Sequence, residues 1–234
     1  MDRKRLQLGI CLLFFVGAFW FSREALSLVQ SLKEQKIVAV DPGHGGFDGG
    51  FAPGDVNGSP CLEKDINLSI SLLLKEKLEK AGYQVIMTRE RDEGLYNEGD
   101  SNKKRSDMQK RIGLINESGA DIAISIHQNS FFQESSKGAQ TFYYPTSLEA
   151  KKLAEMVLEK IKEEVQDGNH RVAKSNDSYY MLKNSKCPLI IVECGFLSNH
   201  EEAQLLTTPQ YQEKITEGIF QGIETYFSNS AHSV

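Results

Sequence analysis

The chain predicts an α/β sandwich, a three-layer arrangement in which helices flank a largely parallel central sheet. Three observations carry that prediction. Short apolar runs alternate with longer stretches of helical periodicity along the chain. Several of the apolar runs end in polar residues, as strands of an open α/β sheet do where ligands gather at their carboxyl ends. The 234 residues are 40% hydrophobic and 25% charged, ordinary for one folded domain with a short appendage, and no internal repeat or low-complexity tract interrupts the alternation.

The elements follow in order. Residues 36–41 read Lys-Ile-Val-Ala-Val-Asp, a short buried strand. Residues 42–60 are too rich in Gly, Asp and Asn for a regular element and are expected to form a long functional loop. Glu63 opens a helix: Ile66, Leu68, Ile70, Leu73, Leu74 and Leu78 cluster at helical spacing until Ala81-Gly82 ends it. A strand at 83–88, a helix at 105–118 and an apolar strand at 121–127 come next, followed by a strand at 138–144 and an amphipathic helix at 148–165. A last buried strand spans 189–193, and a helix at 211–227 closes the domain.

The net charge of −5 excludes the basic footprint of a nucleic-acid-binding domain, so nucleic acid is not an expected partner. The N-terminus points to a membrane. Arg3, Lys4 and Arg5 precede an apolar run over residues 6–21, which as a helix reaches roughly 24 Å, a little short of a bilayer core of about 30 Å. An uncleaved anchor is favoured over a cleaved signal. The sole small-residue cleavage candidate, Val16-Gly17-Ala18, is followed by bulky Phe19, Trp20 and Phe21 with no polar spacer before it. The expected organisation is thus a membrane segment at 1–21, a tether at 22–35, a catalytic domain at 36–228 and a tail at 229–234, with the domain on the outer face of the cytoplasmic membrane.

Of the four cysteines, Cys11 lies in the apolar run. The odd number that remains, Cys61, Cys187 and Cys194, argues against a disulfide framework. An extended strand would hold Cys187 and Cys194 roughly 23 Å apart, beyond bridging distance.

The residues that end the apolar strands supply the chemistry. Asp41 ends the first strand and leads into Gly43-His44-Gly45-Gly46, His127 ends the third, Glu193 ends the last buried one, and Glu63 begins the helix after the first loop. Two imidazoles and one carboxylate are a common catalytic zinc set that leaves a fourth position for water, and a further carboxylate beside that water serves as base. Each residue has a plainer reading: His44 as a turn residue, Glu63 as a first-turn glutamate favoured by the helix dipole, Asp41 as a strand-end turn former instead of an acceptor for an imidazole N–H. Glu193 is harder to dismiss, because a carboxylate after Leu189-Ile-Ile-Val192 is close to full burial and needs a partner.

Four blocks in register resemble the zinc-dependent N-acetylmuramoyl-L-alanine amidases of the amidase-3 family. They are Asp41-Pro-Gly-His-Gly-Gly-Phe-Asp-Gly-Gly50, Glu63 with Asn67, Ser125-Ile-His127-Gln-Asn129, and Val192-Glu193-Cys-Gly-Phe-Leu-Ser-Asn199. The short catalytic domain behind an apolar segment further resembles the germination-specific sporulation branch of that family. The resemblance implies a mixed sheet flanked by helices, similar to the zinc exopeptidases. It implies His44, Glu63 and His127 as zinc ligands and Glu193 as the catalytic glutamate. It also implies peptidoglycan as substrate, cut at the amide between N-acetylmuramic acid and L-alanine, in spore cortex formation and germination, with the protein in the forespore or spore envelope. An activating protein partner is compatible with the same blocks. Gln128 and Ser130 depart from the family pattern and are expected at the groove rim. Two other readings stay open: a zinc peptidase acting on stem peptides, and a non-catalytic peptidoglycan-binding regulator.

Overall fold

The computed structural model describes residues 35–231, so the apolar run at 6–21 and all but the last residue of the expected tether lie outside the described residues. Among the described residues no helix is long and apolar enough to cross a membrane.

The elements are β1 (Ile37–Pro42), β2 (Gly54–Val56), β3 (Ser59–Cys61), α1 (Glu63–Lys80), β4 (Gln84–Met87), α2 (Lys103–Glu117) and β5 (Ile122–Asn129). Then follow β6 (Gln140–Tyr143), α3 (Leu148–Val165), β7 (Lys174–Ser175), α4 (Tyr180–Asn184), β8 (Leu189–Phe196), α5 (His200–Leu206) and α6 (Pro209–Ala231). Six strands form one sheet in the order β4-β1-β5-β8-β6-β7. The strands β4, β1, β5 and β8 are mutually parallel, and β6 runs antiparallel to β8, so the sheet is mixed and largely parallel as the sequence predicts.

Helices cover both faces, which is why the central strands read as continuous apolar runs instead of alternating ones. On one face Val38, Val40, Ile122, Ile124, Ile126, Ile190 and Val192 meet α1, α3 and α6. On the other, Ala39, Ala123, Leu189 and Ile191 meet Ile112 and Ile115 of α2 and Met181 and Leu182 of α4. The period of two then fixes where the polar strand ends point. Asp41, Ser125, His127 and Glu193 are of odd number, like Ala39 and Ala123, and share the α2 face. His127 and Glu193 are direct neighbours across β5 and β8. Cys194, of even number, is fully buried in the opposite cluster.

Helix ends follow local chemistry. Asn102 and Ser147 cap α2 and α3 by accepting from the amides of Arg105 and Ala150, and Gln166 ends α3 in the left-handed region. One expectation fails. Residues 42–60 are not free of regular structure, because β2 and β3 pair as a small antiparallel hairpin around Asn57-Gly58. Both turn residues have positive φ, 53° and 79°, the Asn-Gly signature of a tight hairpin turn, and that dipeptide was the available signal.

Candidate metal centre

His44 enters the site on a tight loop stabilised by a bridge between Gly45 and Asp48. It has a φ of 60°, a left-handed conformation that a residue with a β-carbon adopts at a cost. Gly43 before it leaves no room for a side chain, since a β-carbon there would come 2.2 Å from the His127 ring. The two imidazoles meet edge to face with centroids 5.0 Å apart.

Both rings converge on one carboxylate oxygen. His44 Nε2 lies 3.1 Å from Glu63 Oε1, and His127 Nδ1 lies 3.0 Å from the same atom. The three donor atoms sit within 4.8 Å of one another. Two imidazole nitrogens and one carboxylate oxygen suit a zinc-like dication, which makes this donor set a fit for a metal with further positions open. Structure brings together all three ligand candidates read from the sequence.

Glu63 is fixed from several sides. Its Oε2 accepts the Phe51 amide at 2.8 Å, and its Oε1 accepts the Gln128 amide at 3.1 Å and the Asn67 side chain at 3.3 Å. Burial pushes the Glu63 carboxyl up, but hydrogen bonds from His127 and His44 overcome this and hold it far below the usual carboxylate range. Burial pulls His44 down, yet its hydrogen bonds to Asp48 and Glu63 lift it to about 9. A dication held here by His44, Glu63 and His127 would offset the Glu63 carboxylate charge in place of a protonated imidazole.

Of the two sequence readings of Asp41, acceptor for an imidazole N–H or strand-end residue, the first is not realised. Asp41 accepts from Thr88, Ser125 and Arg111 and reaches neither imidazole nitrogen within hydrogen-bonding distance. Asp48 does this work: its Oδ2 is 3.0 Å from His44 Nδ1, leaving Nε2 to face Glu63. Its carboxyl is held well below the ordinary range, first by the hydrogen bond from His44. A carboxylate behind a ligand histidine fixes its tautomer and ring orientation.

Glu193 is 8% exposed and its Oε2 has no hydrogen-bond partner. Burial raises its carboxyl to about 7, with His127 pulling it down and Glu63 pushing it up. Such a group exchanges a proton near neutral pH, as an acid–base catalyst must. Cys194 beside it faces the core, and burial pushes its thiol far up, so it is no nucleophile.

Gln128, expected at the groove rim, is instead buried, and donates to Asn67 Oδ1 at 3.1 Å behind Glu63. Ser130 is exposed. Residues 89–104 pack on the His44 loop. Asp92 accepts the Gly46 amide at 2.8 Å, Tyr96 stacks edge-on against Phe47 at 5.0 Å, and Lys104 lies 3.3 Å from Asp48.

Comparison with known proteins places the chain in one family. The family profile described as N-acetylmuramoyl-L-alanine amidase matches residues 38–225. The germination-specific N-acetylmuramoyl-L-alanine amidase of Bacillus subtilis (strain 168) is 37% identical over 235 residues, covering 97% of both chains. The CwlD amidase from Clostridioides difficile, solved in complex with the GerS lipoprotein, superposes with a TM-score of 0.79 at 40% identity, over 83% of this chain and 100% of that one. An N-acetylmuramoyl-L-alanine amidase from Clostridium difficile 630 gives 0.72 at 31% identity, over 83% and 97%.

Proposed function

The chain belongs to the N-acetylmuramoyl-L-alanine amidase family and is a peptidoglycan hydrolase of that activity, and on this premise we propose that it is a zinc enzyme acting in spore cortex formation and germination. The observation that carries the zinc reading is the convergence of His44 Nε2 and His127 Nδ1 on one oxygen of Glu63. These three residues would hold the ion. When bound, it supplies Lewis acidity, which lowers the pKa of water towards about 7 and polarises the scissile carbonyl.

The remaining steps belong to the protein. Glu193 presents its unpartnered Oε2 at the site, takes the proton of the attacking water there, and returns it to the departing L-alanine nitrogen. Its burial and the lack of a hydrogen-bond partner leave Oε2 available for both transfers. Asp48 holds the proton on His44 Nδ1, so that Nε2 stays a lone-pair donor. Asn67 and the Gln128 amide steady Glu63 from behind, where solvent does not reach.

The cortex role rests on the relative from Bacillus subtilis, whose name is germination-specific. The relative solved with a lipoprotein supports an activating protein partner for this chain as well. The apolar run at 6–21 would tether the enzyme to the outer face of the cytoplasmic membrane.

Metal analysis tests the site, and product analysis tests the reaction. Zinc at one ion per chain should fall sharply in His127→Ala, and full retention there removes His127 from the ligand set. Mass spectrometry of digested peptidoglycan should show stem peptides with a new L-alanine N-terminus. Fragments cut within the peptide, with the lactyl amide intact, would make the enzyme a peptidase.

A further inference from the structure

Two arginines on different elements are as buried as the core, Arg89 at 2% and Arg111 at 3% exposure. Arg89 follows β4 and Arg111 lies on α2. A buried guanidinium is unfavourable unless its fork of donors is filled, and two lying close together repel. A role in neutralising Asp41 and Asp107 explains part of the arrangement, because Arg111 meets Asp41 Oδ1 at 3.0 Å and Asp107 Oδ2 at 2.6 Å. It does not explain where the other donors go.

Apart from Arg89 Nη1, which donates to Arg91 O at 3.0 Å, and a 3.4 Å bond from Arg111 Nη1 to Thr88 Oγ1, they go to backbone carbonyls of the segments that carry His44 and Glu63. Arg111 donates from Nη1 to Pro42 O at 2.7 Å and from Nη2 to His44 O at 2.6 Å. Arg89 donates from Nε to Pro42 O at 3.0 Å, and from Nη2 to Gly43 O at 3.0 Å and Lys64 O at 2.8 Å. Pro42 O thus receives both arginines, and Arg89 joins the His44 loop to the first turn of the helix that Glu63 begins. A loop of Gly43, Gly45 and Gly46 has little stiffness of its own, and His44 holds an unfavourable φ of 60°. The Gly45–Asp48 bridge and the Gly43 amide bond to Ile126 O hold part of its shape, and the carbonyls of residues 42–44 are held by the two arginines.

We propose that Arg89 and Arg111 are positioning residues of the metal centre, which by gathering the carbonyls of Pro42, Gly43, His44 and Lys64 set the separation at which His44, Glu63 and His127 share one ion. The inference rests on the zinc reading above. A lysine at either position keeps the charge but loses the planar fork, so it separates geometry from electrostatic balance.

The test uses the full-length chain. Zinc affinity is measured by chelator competition, and folding of the metal-free protein by circular dichroism, for wild type, Arg89→Lys, Arg111→Lys and the core variant Leu153→Ala. Loss of an outer-shell support should weaken zinc binding about 10-fold to 100-fold in the arginine variants. Leu153→Ala, which lowers stability on the opposite sheet face, should leave zinc affinity unchanged. Unchanged affinity in both folded arginine variants overturns the proposal. So does a loss in Leu153→Ala as large as theirs, or failure of both arginine variants to fold, since each leaves a purely structural role. A wild type that binds no zinc fails differently: it removes the zinc reading itself.

Discussion

Between α3 and α6 the chain is held by close apolar packing, whereas between β1, β4 and α2 it is held by buried charge. In the first region Leu153, Val157 and Ile161 of α3 meet Ile215, Ile219 and Ile223 of α6 within one cluster. The helices approach so closely that a β-carbon at Gly222 would come 2.5 Å from Val157 Cα. In the second region Asp41, Thr88, Arg89, Arg111 and Ser125 are all buried and joined by hydrogen bonds that end on the His44 loop. Dispersion and hydration favour any well-filled apolar contact, while a buried polar network is favourable only in one arrangement. Stability therefore concentrates in the first region, and the geometry of the site in the second.

The sharpest break of that division comes from Glu193→Gln. Turnover should fall about 100-fold to 10,000-fold with zinc retained. Because burial raises the Glu193 pKa, its ionised form destabilises the metal-free fold above its ordinary value, so the metal-free variant should melt at the same or a higher temperature at neutral pH. A large loss of melting temperature together with activity would mean that Glu193 serves the fold. The converse is Gly222→Ala. Its β-carbon meets the Val157 backbone, so unfolding should become easier by about 1–3 kcal/mol, with turnover per folded, zinc-loaded molecule unchanged. Reduced turnover in that folded fraction would show the two regions to be coupled.

Asp48→Asn sharpens the comparison within the polar region. Zinc affinity, read by chelator competition, should drop about 10-fold to 100-fold as His44 loses its orienting carboxylate. The smallest effect is expected for Asp92→Asn. Asp92 pairs with Lys64 at 2.6 Å on the rim, and its side chain is 49% exposed, so the loss should be at most about 1 kcal/mol and should shrink in salt. The Lys64 hydrogen bond lowers the Asp92 pKa below its unfolded value. Its contribution is thus present above about pH 4 and fades as pH falls through the depressed folded value, so denaturation curves of variant and wild type should converge in acid.

The apolar region was legible in the sequence because periodicity is a local property. The helix at 148–165 coincides with α3, and the strands at 36–41 and 189–193 lie within a residue or so of β1 and the start of β8. The candidate ligand set was legible for a related reason: His127 closes an apolar run, His44 follows the end of another, Glu63 opens the next helix, and strand ends of one sheet meet. The polar network was not. Arg89 and Arg111 stand 22 residues apart, one just past the expected strand at 83–88 and the other within the expected helix at 105–118, and only the packing of α2 against β1 and β4 sends both forks to the carbonyls of residues 42–44. The same holds for the choice of Asp48 over Asp41 behind His44. Both lie close to His44 in sequence, and the left-handed turn at His44 decides which one the imidazole faces.

The sequence by itself therefore determined the order of elements, the sheet face on which His127 and Glu193 lie, and the residue types available for a metal, because side-chain period and strand polarity are written along the chain. Tertiary structure alone decided that His44, Glu63 and His127 meet at one oxygen, that Gln128 lies behind Glu63 and not on a rim, and that two arginines hold the loop. Those outcomes depend on hydrogen bonds between residues dozens of positions apart, whose directions no local pattern encodes.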